Sequence, residues 1–387
     1  MTSRRDGTSV VCRRLTANEV FPKGNRRFKS SRLRKFLFKE RMVMTQPGDV
    51  MLSEIHETPQ VLGRISTEFA TNKQAQDLFD KYKFQSVIIL ARGTSDNAAH
   101  FLKYLLEIKL GLPVGLASPS ATTMYSAQLK YEHTLVVALS QSGQSSDLLS
   151  FAKAAKDGRG FLLSITNDAN SPLAQLSDLH IPINAGPEKA VPATKSYIGQ
   201  LLISYLLTMS WSKSAINTDR LIKSVEAWCK SADAINSFAR EIDIHKPIYV
   251  LGRGFSYPNA KEFALKLQET SLIPVQGMSS SDFLHGPIAS LHQDSQVVFM
   301  SPCCMPAESF GEAPERVRKT TGKVYWIGSG VSVKEHDIVL QAESADSEVE
   351  SSVADAVAFQ LVTQKFAVLN NLNPDSPKGL TKVTITR

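Results

Sequence analysis

From Ser86 onward the chain alternates between short, wholly apolar runs and longer stretches whose apolar positions recur every three or four residues. The runs are Ser86-Val-Ile-Ile-Leu-Ala91, Pro113-Val-Gly-Leu-Ala117, Thr134-Leu-Val-Val-Ala-Leu139, Phe161-Leu-Leu-Ser-Ile165 and Leu179-His-Ile-Pro-Ile183. Short β-branched runs bounded by turn residues predict strands buried on both faces. The stretches between them predict helices: Ala98–Leu110, one from about Ser120, and one from Leu148. A helical pattern also runs from Met51 to about Lys81, and the apolar segment around Ile198–Met209 predicts a buried helix. Strands alternating with helices imply a parallel sheet covered on both faces.

The pattern then repeats. Leu90-Ala-Arg-Gly-Thr-Ser95 matches Leu251-Gly-Arg-Gly-Phe-Ser256 at an offset of 161 residues, and Val136, Val137 and Ser140 match Val297, Val298 and Ser301 at the same offset. Two copies imply a duplicated α/β unit rather than a solenoid. Residues 212–245 predict helices joining the halves.

One turn stands out chemically. Ser140-Gln-Ser-Gly-Gln-Ser-Ser-Asp147 lies between a strand end and a helix start. Gly143 permits a tight turn and close approach of a ligand to the backbone. The unpaired amides of a helix start, with several hydroxyls, make a neutral cradle for a phosphate. An ordinary N-cap is the plainer alternative, although one cap needs one such residue. Thr94-Ser95 falls at the end of the preceding strand, and in open parallel sheets ligands bind beyond such ends. The second half has Ser301-Pro-Cys-Cys304 at the matching place, where Pro302 lacks an N–H, so one phosphate site is expected, in the first half.

Composition adds limits. With 42% hydrophobic and 21% charged residues in 387, the chain reads as soluble and globular. The net charge of +7 is misleading, because residues 1–43 hold 13 Lys/Arg against 3 acids and the remainder carries −3. The folded part therefore gives no electrostatic case for nucleic acid, and no run is long enough to span a membrane. Residues 1–43 are expected to be a disordered basic leader. Four cysteines without C-x-x-C spacing fit a reducing, cytoplasmic setting. Eight histidines without paired spacing argue against a metal site.

Several motifs together resemble the double sugar isomerase (SIS) family, specifically the isomerase half of glucosamine-6-phosphate synthase and free-standing glucosamine-6-phosphate deaminases. They are Met51…Glu54-Ile55…Glu57…Pro59, Gly93-Thr94-Ser95, Ser140-Gln-Ser-Gly143, Gly186-Pro187-Glu188…Val191…Thr194-Lys195, Lys266…Glu269, Leu284-His-Gly-Pro287 and Leu380-Thr-Lys382, in order over residues 51–387. The resemblance implies two tandem flavodoxin-like subdomains, each a parallel five-stranded sheet with helices on both faces. Residues 51–210 would form the first and 246–372 the second, with connecting helices at 211–245 and a closing tail at 373–387.

It also implies roles. Glu269 would move a proton between C1 and C2, His285 would open the sugar ring, and Lys382 would contact the open-chain sugar. Thr94, Ser95, Ser140, Gln141, Ser142 and Ser145 would bind phosphate, and Val191, Ala193 and Lys266 the sugar. No cofactor is implied. Read without the family, His285 would be a core histidine, Glu269 a solvated helix face and Lys382 a frayed terminus. The synthase's glutaminase domain has no counterpart in residues 1–50, so glutamine is not expected as nitrogen donor, and Ala193 replaces a family Ser. The expected partner is a phosphorylated amino sugar, in a homodimer with shared active sites where His285 serves its neighbour. The expected reaction is glucosamine 6-phosphate to fructose 6-phosphate and ammonia. Alternatives are a fructosamine-6-phosphate deglycase, another ketose/aldose isomerase, or a non-enzymatic sugar-phosphate sensor.

Overall fold

The computed structural model describes residues 46–328, 333–342 and 345–382. The basic leader at 1–43 lies outside the described residues, as do the last five positions of the tail. Each apolar run forms a parallel strand: β1 Ser86–Leu90, β2 Val114–Leu116, β3 Thr134–Ser140, β4 Phe161–Thr166 and β5 Leu179–Pro182. They order as β2-β1-β3-β4-β5. The second half supplies β6 Ile248–Gly252, β7 Val275–Ser279, β8 Gln296–Met300, β9 Tyr325–Ile327 and β10 Ile338–Leu340. These order as β10-β9-β8-β6-β7, the same winding seen from the other edge. The duplication is therefore one of topology as well as of motif. All seven residues of β3 are buried, as a strand covered on both faces requires.

Each sheet reverses its winding between its first and third strands. The turns after β1 and β3 thus flank one switch point, and those after β6 and β8 flank another.

Helices of eight or more residues are α1 Asp49–His56, α2 Thr58–Thr71, α3 Thr94–Leu110, α4 Ser146–Asp157, α5 Lys195–Trp211, α6 Asp219–Lys230, α7 Ala232–Glu241, α8 Tyr257–Ser271, α9 Ala313–Thr321 and α10 Glu348–Leu369. Helices α5 and α10 are buried almost all round, which explains their lack of a polar face. The single helical stretch expected over 51–81 is broken instead. Pro59 opens α2 in its first turn, and the Asn72 side chain accepts from the Ala75 amide at 3.0 Å to start a new short turn. The helix expected from Ser120 is only one turn, Ser120–Thr123. Met124 and Tyr125 beyond it are exposed, so nothing there rewards a longer apolar face.

The two halves are joined by buried polar bonds. Tyr197 on α5 donates to Asn259 Oδ1 on α8 at 3.0 Å, and Asn259 Nδ2 donates to the Ser352 carbonyl on α10 at 2.6 Å. The tail is tied back as well. Asp375 accepts from the amides of Gly48 (2.9 Å) and Met51 (2.7 Å) at the start of α1, and its carbonyl accepts from the Val191 amide at 2.9 Å. A carboxylate there complements the helix dipole. Among the described residues no helix is long and apolar enough to cross a membrane.

One buried acid in this core has a measurable consequence. Asp355 on α10 accepts from Trp228 Nε1 and Ser351 Oγ, each at 3.1 Å. Burial pushes its pKa up to about 7. The folded state then holds a proton that the unfolded chain, with its ordinary value of 3.8, has released. Stability from this group is therefore present at acid pH and lost as pH rises toward about 7. Asp355→Asn is expected to remove that loss and to raise stability at pH 8 by about 1–3 kcal/mol. Thermal melts of both proteins between pH 5 and 8 check this; equal pH slopes would refute it.

Candidate active site

The switch point of the first sheet opens into a cavity of about 360 Å³. Three helix starts reach it: Thr94 and Ser95 of α3, Ser145 just before α4, and Ser196, Tyr197 and Gln200 of α5. Their amide ends make the space favourable to an anion. Ser140, Gln141 and Ser142 complete this side. All six predicted phosphate-binding residues thus line one cavity.

The hydroxyls are arranged as donors. Ser140 Oγ accepts from the Gly143 amide at 3.0 Å and Ser142 Oγ from the Gln144 amide at 3.3 Å. Ser95 Oγ accepts from Gln200 Nε2 at 3.0 Å. Each oxygen loaded this way keeps its O–H proton to donate to a ligand. The Ser145 side chain makes no capping bond to α4. Thr94 differs, because its hydroxyl donates to Glu262 Oε1 at 3.0 Å. What Thr94 offers an anion is therefore its place at the first turn of α3 rather than its hydroxyl proton.

Gly143 serves another end than expected. Its φ of +64° makes the tight turn, but a Cβ there would sit 2.3 Å from Ser171 Oγ. The missing side chain makes room for Ser171, not for a ligand.

The opposite wall comes from the second half. Glu269, near the end of α8, lines the cavity with its side chain partly exposed. Behind it lies Lys266, fully buried, paired with Glu269 and with Glu262, the latter at 3.3 Å. Lys266 itself does not line the cavity and stands behind Glu269, which does. The 3.6-residue period puts 262, 266 and 269 on one helix face, and the ammonium is held between the two acids. Burial opposes its charge, yet Glu262 and Glu269 raise its pKa above the ordinary value. Glu262 is pushed up to about 7, by burial first and by the nearby Glu269 charge, against the pull of Lys266. It also accepts from Asn97 Nδ2 at 2.7 Å. One carboxylate thus joins the start of α3 in the first half to α8 in the second.

The tail covers the cavity with Leu380, Thr381 and Lys382. Lys382 Nζ donates to Glu188 Oε2 at 3.0 Å and to the Ala190 carbonyl at 2.8 Å. Glu188 is fully buried. Burial works against its charge, but Lys382 and the amides of Thr194 and Ser196 hold its pKa below the ordinary value. Glu54 accepts from the amides of Lys189 and Ala190. Two buried carboxylates therefore shape the 186–194 loop, which presents Val191 and Ala193 to the cavity.

His285 is exposed at the end of the short helix Ser280–Leu284 and does not line the cavity of its own chain. Sequence reasoning gave no role to Glu188, Glu262, Ser196 or Gln200. Glu188 stands in the Gly186-Pro187-Glu188 motif read from the sequence, and the spacing Glu262…Lys266…Glu269 was a further readable signal. Among the described residues no group of His, Cys, Asp and Glu could hold a metal ion.

The geometry is that of a doubled flavodoxin-like fold in which a hydroxyl-lined cradle in one half faces a carboxylate from the other. The chain belongs to the SIS domain family, whose pattern matches residues 82–210 and 242–329. It is 31% identical over 337 residues to the glutamine–fructose-6-phosphate aminotransferase of Methanothermobacter thermautotrophicus, covering 86% of this chain and 56% of that protein. The chain thus spans little more than half the length of such relatives. Among solved structures it resembles the C-terminal domain of glucosamine-fructose-6-phosphate aminotransferase from Francisella tularensis, with 25% identity and a TM-score of 0.75 over 85% of this chain and 98% of that one. It shares its fold with glucosamine-6-phosphate deaminase from Thermotoga maritima, at 22% identity and a TM-score of 0.68 over 87% of this chain and 100% of that one.

Proposed function

We propose that the protein is an amino-sugar-phosphate isomerase that releases ammonia, turning glucosamine 6-phosphate into fructose 6-phosphate. The observation carrying this reading is that Glu269 and Lys382 open onto the same cavity as the hydroxyl cradle. The cradle anchors the phosphate through Ser95, Ser140, Ser142 and Ser145. Fixing that end sets C1 and C2 against the second lobe. His285 of a second copy opens the ring by moving a proton between O1 and the ring oxygen, a step suited to imidazole. In this reading the protein works as a homodimer, since His285 lies outside its own chain's cavity. Glu269 takes the C2 proton and returns it to C1, so that an enolamine becomes a ketimine. Water then adds to C2 and ammonia leaves. Lys382 steadies the developing negative charge on the open chain, and the tail that carries it keeps bulk water away until hydrolysis.

The test is a coupled assay of ammonia and fructose 6-phosphate. Glucosamine 6-phosphate should yield both in equal amounts, and unphosphorylated glucosamine should yield neither. Turnover confined to fructosamine 6-phosphates would move the assignment to a deglycase. Tight phosphate-ester binding without turnover of any amino sugar would replace the enzyme by a sensor.

A further inference from the structure

The duplication gives the second sheet its own turn at the switch point, residues 301–304 after β8. It is unfit for phosphate, since Pro302 has no N–H and the Cys303 amide is committed to Ser351 Oγ at 3.0 Å. What the turn presents instead is a pair of adjacent thiols. Cys303 is half-buried and Cys304 exposed. Adjacent side chains in extended chain point to opposite sides. Here Cys304 sits at φ +64°, a conformation that is costly for any residue with a Cβ. That turn brings the two Sγ atoms to 2.8 Å from each other. Backbone carbonyls steady both, with Cys303 Sγ 3.3 Å from the Ala345 oxygen and Cys304 Sγ 3.7 Å from the Asp346 oxygen. Strain held in place by surrounding contacts is the kind found at binding sites.

We propose that Cys303 and Cys304 form a dithiol site for a thiophilic centre that accepts two sulfurs on one atom, of the class of trivalent arsenicals. The chemistry needs no oxidant. An organoarsenic(III) oxide condenses with both thiols; two As–S bonds form, and the arsenic-bound oxygen leaves with the two thiol protons as one water. The hydrogen bond between the two thiols pushes the Cys304 pKa up to about 11. Once one As–S bond exists, the second thiol is held beside the arsenic and closes the chelate at high effective concentration. Cys229, the other described cysteine, lies on α6, where burial pushes its thiol up to about 11.

The experiment titrates the full chain with phenylarsine oxide and follows free thiols and intact mass. The expected result is one equivalent bound per chain, two thiols lost, and a mass gain of one reagent less one water. A dithiol competitor should reverse it where a monothiol does not. Cys303→Ser and Cys304→Ser should each weaken binding by about 100-fold, while Cys229→Ser and Cys12→Ser leave it unchanged. Tight binding that survives Cys304→Ser, or is lost in Cys12→Ser, overturns the site. So does a protein whose Cys303 and Cys304 fail to react with the reagent at all. The two serine variants should melt like the parent, which separates loss of the ligand from loss of the fold.

Discussion

Glu269→Gln is expected to lower kcat for amino-sugar isomerisation by about 10²–10⁴-fold, the range for removing a general base. The amide keeps the size of the side chain and an oxygen for Lys266, so the wall of the cavity stays in place. What disappears is the basic oxygen that, in the proposed mechanism, accepts a proton from carbon. The phosphate cradle belongs to the other lobe and meets Glu269 only indirectly, through Thr94, Glu262 and Lys266, so affinity for inorganic phosphate should remain within about twofold. Exchange in deuterated water gives the sharper readout. The parent should place deuterium on the product's C1, and the variant should place none above background. Opening of the ring can be followed separately, and it should continue in Glu269→Gln because the proposed mechanism gives that step to His285. Turnover within about tenfold of the parent would remove Glu269 from the chemistry. Loss of phosphate binding in the variant would instead show that the two lobes do not divide the work as argued.

The parts of the fold that were legible in the sequence are those fixed by burial alone. A strand covered on both faces must be apolar throughout, and β3 shows this over its full length. The repeat of Leu-x-Arg-Gly-x-Ser carried the second sheet with it, and the two sheets wind alike. Element ends were less legible where one residue decides them. Pro59 and Asn72 divide a pattern that periodicity alone joins, and the segment after Ser120 lacks a partner surface to stabilise a helix.

In the site, local turns were readable because strand, turn and helix start are contiguous in sequence. Roles set by distant partners were not. Glu188 is defined by Lys382, 194 residues away. Glu262 is defined by Thr94 and Asn97 in the other half. The expectation of a sugar contact at Lys266 comes from the family motif Lys266…Glu269 and not from its surroundings. The helix face it occupies is visible in the sequence, but what that face meets is not.

Lys266→Met should be the most destabilising single change at the lobe boundary. The ammonium is fully buried between two carboxylates, and Glu262 has no exposed surface of its own. Breaking a buried pair by deleting one partner costs about 3–5 kcal/mol, because the remaining charge is left without compensation. The cost must depend on pH. Glu262 already titrates at about 7 in the folded protein, above its ordinary 4.5, and without Lys266 its folded value rises further. A group with a raised folded pKa gives stability below the unfolded value and loses it as pH climbs through the folded one. The variant should therefore differ little from the parent near pH 5 and most at pH 8 and above, where the parent still has its ammonium. Adding Glu262→Gln should restore much of the loss. Its amide oxygen can accept from Asn97, its nitrogen can donate to Thr94 Oγ1, and no buried charge remains. Activity should not return with stability, because Glu269 has still lost the cation that orients it. That split between a rescued melting temperature and an unrescued kcat distinguishes a positioning role from a purely structural one. A single variant that melts within about 1 kcal/mol of the parent at pH 8 would show that the pair is no interlobe clamp.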